Sequence, residues 1–343
     1  MPYNKYLVLP NARMRLFFDF YRFEDLKTID FSTAGHGITN LGEIPYLCKR
    51  AVYKDEYTLA LDDLDIVFGA KEKLEQALEE ILLDERTKHV FLMQSALTAT
   101  IGTDVQGLAD AMAAKYGIDV FTLPVRLNDD FYRGEEMFYD KLADYVGNES
   151  VSEREGINLI GDSFSDWNLR KHDSIRKKIE EDGETINIDS LRLVRLSDLS
   201  RLCRAKRNVV CSQSALGLAK ALKERFGIDY DFFAEERQKK WPVKAGAVVY
   251  GNVDLLSYLQ ARLEGENLTL LSSHPVRNGR FASLDVNLFV ERFRDDPRPK
   301  LTYAELSRFV RGVVPVSALG RDYDSFVEDV YNDEGLRKII GLV

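Results

Sequence analysis

The sequence contains little cysteine and histidine, and neither is grouped as a zinc-binding motif requires. The 343 residues include three cysteines, Cys48, Cys203 and Cys211, and this odd, widely spaced set excludes a disulfide framework. The four histidines are scattered, and no cluster of histidine and cysteine has zinc spacing. We therefore expect reduced thiols and no zinc finger.

Long apolar runs and the common nucleotide-binding motifs are also missing. No run approaches the roughly 18 to 20 apolar residues of a membrane-spanning helix, and no secretory signal pattern opens the sequence. Neither a G-x-G-x-x-G turn after a strand nor a phosphate-binding P-loop motif occurs. The net charge of -9 disfavours binding to nucleic acid. These absences predict a cytoplasmic protein that binds neither membrane nor nucleic acid.

A unit of strand, loop, helix and strand is present twice. An apolar strand begins the first copy at His89 and the second at Asn208. In both copies the strand is followed by Gln-Ser-Ala-Leu and then by an amphipathic helix that ends in Gly-Ile-Asp. Glycine at a helix end favours a left-handed C-terminal cap. Agreement at both ends of the unit predicts duplicated αβ layers.

Alternating strands and helices predict an α/β protein with parallel sheets. The length suggests two or three domains, and loop-forming residues around position 150 mark a boundary. We divide the chain into residues 1–150 with an N-terminal extension, residues 151–240, and a short third domain with a terminal helix over residues 241–343. The sequence of residues 277–320 is irregular and contains three prolines, so it does not indicate which structure that segment forms.

Several local predictions follow from shorter patterns. Residues 1–35 are rich in aromatic side chains without a clear period, and we expect them to pack against the first domain. Residues 191–196 are predicted to form a strand. Ser197 is a plausible N-cap for a helix over residues 198–205. Residues 302–305 form a capping-box sequence that predicts another helix.

Candidate site residues lie directly after the predicted strands, because parallel sheets bind ligands beyond the carboxyl ends of their strands. This rule selects residues 94–100, 161–166, 211–214 and 251–254. The candidates for a cofactor site are Gln94, Ser95, Cys211, Ser212 and Gln213. The alternative for each loop is that its residues only form a turn.

Cys211 is the leading candidate for a metal ligand. A thiol at the head of a helix, directly after a buried strand, can be activated by the helix N-terminus or can bind metal. The alternative is a small buried apolar residue. Among the histidines, His36 lies in a glycine-containing loop and is a candidate for function, whereas His89 and His172 lie in regular elements and are interpreted as structural.

These motifs together resemble the nitrogenase component 1 family, which includes nitrogenase molybdenum-iron protein subunits, cofactor scaffold proteins and protochlorophyllide reductase subunits. The resemblance depends on Val-Phe-Gly ending at Gly69, on Ile-Gly-x-Asp ending at Asp104, and on His36-Gly37. It implies repeated Rossmann-like domains around an interdomain cleft. It also implies dimerisation with a related subunit or with itself, and an iron-protein electron donor.

The chain departs from this family at the positions of cluster ligands. Two positions where the family has cysteine ligands of a bridging iron-sulfur cluster fall on Leu41 and Ala96. Because aliphatic side chains cannot replace thiolates, the bridging cluster is not expected. Cys211 falls on the position that resembles the cysteine anchoring the catalytic cofactor, and the corresponding histidine falls on or near Arg321.

Two functions remain open at this point. One is an oxidoreductase subunit that has lost cluster ligands and holds a metal or tetrapyrrole-like cofactor in the interdomain cleft, for which an iron-containing cofactor is the candidate. The other is a non-catalytic scaffold, carrier or regulatory partner of a related subunit. The missing thiolates favour the second function, whereas the family resemblance favours the first.

Overall fold

The computed structural model describes residues 11–33, 56–95, 98, 100, 102–126, 129, 131–147, 153–162, 166–233, 241–242, 246–251, 256, 260, 263–264, 268–273 and 281–316. One compact unit spans Asn11–Phe232, and the other includes Phe233–Val343. The division into three domains near residues 150 and 240 stays a prediction. The predicted α/β class with parallel sheets is confirmed, because every strand pair of the described residues is parallel.

The first sheet has four strands in the order β2-β1-β3-β4. Its strands are β1 (Leu26–Phe31), β2 (Glu56–Thr58), β3 (His89–Gln94) and β4 (Asp119–Phe121). The helices described between these strands are α2 (Asp63–Phe68), α3 (Lys71–Ile81) and α4 (Val105–Tyr116). Leu74, Leu78 and Ile81 of α3 are buried at helical spacing, which explains why this segment folds against the sheet.

The aromatic N-terminal segment forms a helix and a central strand, neither of which its irregular pattern predicted. Helix α1 (Ala12–Phe20) begins where the side chain of Asn11 accepts a hydrogen bond from the backbone N–H of Met14 at 3.0 Å. Phe20 packs against Phe91 of β3 at a ring separation of 4.8 Å. The segment does pack as expected, but β1 also lies between β2 and β3 and is buried throughout, so it belongs to the sheet itself.

The second sheet repeats the topology of the first, with the order β6-β5-β7-β8. Its strands are β5 (Ile157–Ile160), β6 (Ile186–Asp189), β7 (Arg207–Val210) and β8 (Asp229–Phe232). Helix α5 (Phe131–Leu142) precedes it, and α6 (Asp166–Glu181) and α7 (Leu216–Phe226) connect its strands. One buried apolar cluster joins side chains of α1, α5 and α7 with strands of both sheets.

The structure confirms the duplicated unit. In the first copy β3 ends at Gln94, the first residue of Gln-Ser-Ala-Leu, and in the second copy the same segment begins at Gln213, shortly after β7 ends at Val210. Helices α4 and α7 then end at Gly117 and Gly227, both of which have φ of 66°. This left-handed conformation costs glycine little, so the same cap appears in both copies.

The other unit contains a five-stranded parallel sheet with the order β13-β12-β10-β14-β15. Its strands are β10 (Ala247–Gly251), β12 (Leu268–Ser272), β13 (Ala282–Ser283), β14 (Lys300–Tyr303) and β15 (Val313–Val316). Helix α8 (Val286–Phe293) packs on Tyr250 of β10. Two short strands, β9 (Trp241–Pro242) and β11 (Leu263–Glu264), pair separately. Residues 281–316 are therefore largely regular, which their irregular sequence did not indicate.

Two local predictions were wrong. Residues 191–196 form no strand, because the Asp189 carboxylate accepts the backbone N–H of Leu191 at 3.0 Å and turns the chain after β6. The following segment, Leu196–Arg204, is a 3-10 helix, and Ser197 does not cap it. The carboxylate of Asp25 accepts the N–H groups of Leu196 and Ser197 at 2.8 and 3.1 Å instead.

The capping-box prediction at residues 302–305 was also wrong in part. Thr302 lies in β14, which pairs with β15 on one side and with β10 on the other. A 3-10 helix over Ala304–Arg308 begins only after that strand ends. Sheet pairing, which is not visible in a short sequence window, therefore decided the conformation.

Candidate functional site

The second sheet has a topological switch point between β5 and β7. The chain leaves β5, adds β6 on one side, and then returns to add β7 on the other side. Loops that diverge in this way leave a crevice beyond the carboxyl ends of the two central strands, where open parallel sheets bind ligands. Here the crevice is bordered by Gly161 and Asp162 after β5, and by Cys211 and Ser212 after β7.

The two loops approach each other so closely that residue 161 must be glycine. Gly161 has φ of 122°, a value that side chains rarely allow. A Cβ atom at this position would lie 2.5 Å from the backbone nitrogen of Ser212 and 3.1 Å from that of Cys211. The glycine therefore permits the contact that brings Asp162 beside Cys211.

Hydrogen bonds hold the backbone of Asp162 on both sides. Its N–H donates to Oγ of Ser212 at 2.9 Å, and its carbonyl oxygen accepts from the hydroxyl of Tyr139 at 2.6 Å. Asp162 has φ of 63°, and a non-glycine residue in this region needs such support from its surroundings. Its carboxylate is thus presented from a fixed backbone position.

His172 lies between two carboxylates and is fully buried. It projects from α6, with Nε2 at 3.1 Å from Oδ2 of Asp162 and Nδ1 at 3.0 Å from Oδ1 of Asp189. Burial acts to lower the pKa of His172, but hydrogen bonds to Asp162, Asp189 and Cys211 raise the pKa to about 12. At neutral pH the ring therefore carries both protons and donates to both carboxylates.

Cys211 completes this cluster. Its backbone N–H donates to the carbonyl of Ile160 at 2.7 Å, so the thiol is held at the end of β7 beside the end of β5. Sγ of Cys211, a ring nitrogen of His172 and a carboxylate oxygen of Asp162 lie within 4.8 Å of one another. The side chains of Cys211 and Asp162 are partly accessible, whereas His172 is not. Sulfur, nitrogen and oxygen donors so close together could hold one metal ion.

A buried polar network connects the site to the first repeat. Oγ of Ser212 is 2.5 Å from Oγ of Ser214, which donates to Glu135 at 2.8 Å. Glu135 pairs with Arg15 at 3.0 Å, and Arg15 also pairs with Asp19 at 2.6 Å. Burial acts to lower the pKa of Arg15, but the two carboxylates more than compensate and raise it. Through this network, side chains of helices α1 and α5 stabilise the loop after β7.

The structure brings together two of the predicted site residues, Cys211 and Ser212. Gln213 is half-buried and begins a 3-10 helix over Gln213–Ala215 directly after them. Gln94 and Ser95 lie at the equivalent edge of the first sheet, where Ser95 and Thr98 exchange hydrogen bonds at 3.0 and 3.1 Å. That exchange fits a turn-forming role for Ser95.

Residues 252–254 of one selected loop and residues 317–343, which include the predicted terminal helix, lie outside the described residues, and so do four single positions of the prediction. These four are His36 and the three positions compared with family metal ligands, Leu41, Ala96 and Arg321. The two positions of the first repeat that are compared with cluster ligands, Leu41 and Ala96, carry no thiol in the sequence.

Sequence reasoning missed the residues that surround Cys211. Asp162 lay within a segment selected as a site edge but was not singled out, and Asp189 was not considered. His172 was interpreted as structural because it falls within a helix. The position of Gly161-Asp162 directly after an apolar strand could have identified Asp162 as a site residue. The position of His172 within a helix gave no comparable indication.

Comparison with known proteins decides the family. A family described as nitrogenase component 1 type oxidoreductase matches residues 49–235, more than half of the chain. The chain belongs to the nitrogenase component 1 family. The resemblance noted in the sequence is thereby confirmed.

Relatives within the nitrogenase component 1 family include proteins with different roles. The iron-molybdenum cofactor biosynthesis protein NifE of Clostridium pasteurianum is 26% identical over 226 residues, covering 63% of this chain and 48% of the relative. The nitrogenase molybdenum-iron protein alpha chain of Methanothermobacter marburgensis is 25% identical over 239 residues, covering 63% and 50%. The chain thus spans about half the length of these relatives.

Solved structures support the fold of this family member. One structure of nitrogenase Cp1, at pH 6.5, aligns with a TM-score of 0.66 and 10% identity, covering 95% of this chain and 90% of that chain. Another, at pH 5, aligns with a TM-score of 0.61, covering 84% and 68%. In the described part of the chain, no helix is both long and apolar enough to cross a bilayer.

Proposed function

We propose that this chain is a scaffold or carrier of the nitrogenase component 1 family that holds a metal-containing cofactor, or a precursor of one, through Cys211. The observation that carries the proposal is the grouping of Cys211 with His172 and Asp162 at the switch point of the second sheet. These three potential metal donors lie together in the second repeat. The first repeat lacks the thiols that the family resemblance would require.

The missing thiols argue against a role in electron transfer through a bridging cluster. Iron-sulfur clusters are held by cysteine thiolates, and the two positions compared with cluster ligands are Leu41 and Ala96. Neither side chain can donate to iron. The residues of this chain therefore do not fit that cluster, and the proposed function contains no step that uses it.

The residues of the second repeat fit a bound metal group. Cys211 would supply a thiolate sulfur, and His172 and Asp162 offer nitrogen and oxygen donors beside it. Bound there, the group would be kept assembled and shielded on the side of His172, which is fully buried. Asp162 and Cys211 remain partly accessible, as loading and release of the group require.

The functions given in the names of two relatives support this assignment. NifE proteins of Clostridium pasteurianum and Rhodobacter capsulatus are named for biosynthesis of the iron-molybdenum cofactor. By analogy, we propose that this chain pairs with a related component 1 subunit or with a second copy of itself. An iron-protein electron donor would then act on the partner.

A second candidate function is an oxidoreductase subunit whose partner supplies any cluster. The similarity to a nitrogenase molybdenum-iron protein alpha chain favours it. In that case, the loaded complex should consume electrons continuously from a low-potential donor. A scaffold or carrier should take up at most the electrons needed to reduce its bound group once.

Anaerobic purification with metal analysis and absorption spectroscopy tests the proposal. We expect bound iron and absorbance beyond the protein band, both lost in Cys211→Ala. Cys203→Ala is the matched control, because Cys203 is buried and its Sγ contacts the carbonyl oxygen of Ser200 at 3.2 Å. Protein with neither iron nor such absorbance would contradict the proposal, as would full occupancy in Cys211→Ala. Iron-free protein that carries a tetrapyrrole-like spectrum would also overturn it.

A further inference from the structure

We infer that Asp162, His172 and Cys211 form a binding site for a single divalent transition metal ion, such as zinc or ferrous iron, with Asp189 as the residue that orients His172. The inference deepens the proposed function, since it names the species that the three side chains bind without any larger cofactor. It rests on the geometry of the cluster.

The donor atoms lie close to the separations that one ion requires. Zinc bonds are about 2.0 to 2.1 Å to histidine nitrogen, 2.0 to 2.2 Å to carboxylate oxygen and 2.3 Å to sulfur, so tetrahedral donors lie roughly 3 to 4 Å apart. Nε2 of His172 and Oδ2 of Asp162 are 3.1 Å apart, and all three donors lie within 4.8 Å. Adjustments of side-chain torsions would suffice to bind an ion.

His172 has the second hydrogen bond that metal-binding histidines usually make. Its Nδ1 is 3.0 Å from Oδ1 of Asp189, whose side chain is 1% exposed. A carboxylate in this position fixes the ring and leaves Nε2 directed at the metal. Nε2 is the nitrogen that faces Asp162, another donor of the cluster, and binding of an ion would release to solvent the proton that Nε2 shares with Asp162.

The two other donors are held by the backbone. Asp162 is fixed on both sides by Ser212 and Tyr139, and the N–H of Cys211 is bonded to the carbonyl of Ile160. Both donors are therefore presented from a rigid edge of the sheet, so that little conformational entropy is lost on binding. Rigid presentation distinguishes this cluster from acidic side chains that meet on an open surface.

The donor types decide the class of ion. Magnesium and calcium prefer oxygen ligands, whereas a set of one sulfur, one nitrogen and one oxygen suits zinc, ferrous iron or cobalt. Three protein ligands leave one position of a tetrahedral ion for water or another ligand, as in catalytic zinc sites. Since Asp162 and Cys211 are partly accessible, this fourth position has a path to solvent.

Titration of the metal-free protein with cobalt(II) tests this inference directly. We expect one equivalent to bind with an absorption band from thiolate-to-cobalt charge transfer. Cys211→Ser should abolish the band, and His172→Gln and Asp162→Asn should weaken binding at least tenfold. Asp189→Asn should weaken binding by about 10- to 100-fold while leaving the band in place at saturation, as expected for a residue that positions a ligand.

Cys203→Ser and His89→Gln are the matched controls. Cys203 is a buried thiol outside the cluster, and His89 is a second histidine paired with a carboxylate, Asp119, at 3.0 Å. Both should bind cobalt like the wild type. Far-ultraviolet circular dichroism of every variant separates lost binding from lost folding, and a folded His172→Gln variant with wild-type affinity would overturn the inference.

The results also separate this inference from the proposed function. Protein that binds one cobalt ion through the three side chains but carries no iron-containing group after anaerobic purification would support the site and contradict the proposed function. Protein whose iron-containing group depends on Cys211 but is unaffected by His172→Gln and Asp162→Asn would support the proposed function and contradict the site. Binding of cobalt without a charge-transfer band would also contradict it.

Discussion

Among substitutions that add one methyl group to the second sheet, Gly161→Ala should disrupt the site most. The new Cβ would lie 2.5 Å from the backbone nitrogen of Ser212 and 2.9 Å from its Oγ. Backbone atoms cannot rotate away, so the loops after β5 and β7 must separate. The hydrogen bond from the N–H of Asp162 to Oγ of Ser212, 2.9 Å long, depends on that contact.

The expected loss of stability has two parts. Alanine at φ of 122° costs about 1 to 3 kcal/mol of backbone strain. Loss of one buried hydrogen bond costs about 0.5 to 1.5 kcal/mol more. We therefore expect Gly161→Ala to lower the free energy of unfolding by roughly 2 to 4 kcal/mol, measured by urea denaturation. Cobalt affinity should fall as well, because Asp162 moves away from Cys211.

Gly183→Ala provides the control for backbone strain. Gly183 follows α6 with φ of 79°, but a Cβ there would meet no atom within 4 Å. This variant should cost about 1 to 2 kcal/mol, from the left-handed backbone conformation alone, and should bind cobalt like the wild type. If the two variants were equally stable and both kept wild-type affinity, the close approach of the two loops would not be what forms the site.

Two further predictions concern paired carboxylates, namely Asp119, which is partly exposed, and Glu135, which is buried. Burial acts to raise the pKa of Asp119, but hydrogen bonds from His89 and Tyr145 lower the pKa below its usual 3.8. These contacts therefore stabilise the fold above pH 3.8. The stabilisation is lost as the pH falls through the lowered pKa. Asp119→Asn should therefore lower the urea midpoint at pH 7, and the difference from the wild type should shrink as the pH falls below 3.8; a constant difference would contradict this. Glu135→Ala should lower the free energy of unfolding by about 3 kcal/mol, because it removes one partner of the buried Arg15. Exposed Glu80→Ala is its control, and equal stability of the two variants would show that the buried network contributes nothing.

The sequence predicted the duplicated architecture because the repeat is local. The strand, the Gln-Ser-Ala-Leu loop and the glycine cap all lie within one short segment, and each copy contains the full pattern. Strand β1 was not predicted, because it is buried on both faces and its sequence therefore does not alternate between apolar and polar residues. It contains Lys27, Thr28 and Asp30 among its apolar residues. Its burial depends on partners elsewhere in the chain, so no alternating pattern marks it.

The candidate site was predictable only in part. Cys211 could be selected because it directly follows an apolar strand, where parallel sheets place functional residues. His172, in contrast, becomes a neighbour of Cys211 only because β5 lies between β6 and β7. Strand order is a property of tertiary structure, so the position of His172 in a helix indicated nothing about a ligand.

The same limit explains the incorrect N-cap prediction. Ser197 has the residue type and position of a cap, but Asp25, far away in the sequence, satisfies the N–H groups of Leu196 and Ser197. The local pattern predicted a helical segment over residues 198–205, and a 3-10 helix covers Leu196–Arg204. The pattern could not identify which side chain accepts its hydrogen bonds.

Anomalous scattering from crystals of the zinc-loaded protein tests the central claim most directly. The account predicts one peak within about 2.0 to 2.3 Å of Sγ of Cys211, Nε2 of His172 and a carboxylate oxygen of Asp162. Asp189 should remain hydrogen-bonded to Nδ1 of His172. A crystal without a peak there, in which His172 still bridges Asp162 and Asp189, would contradict the account.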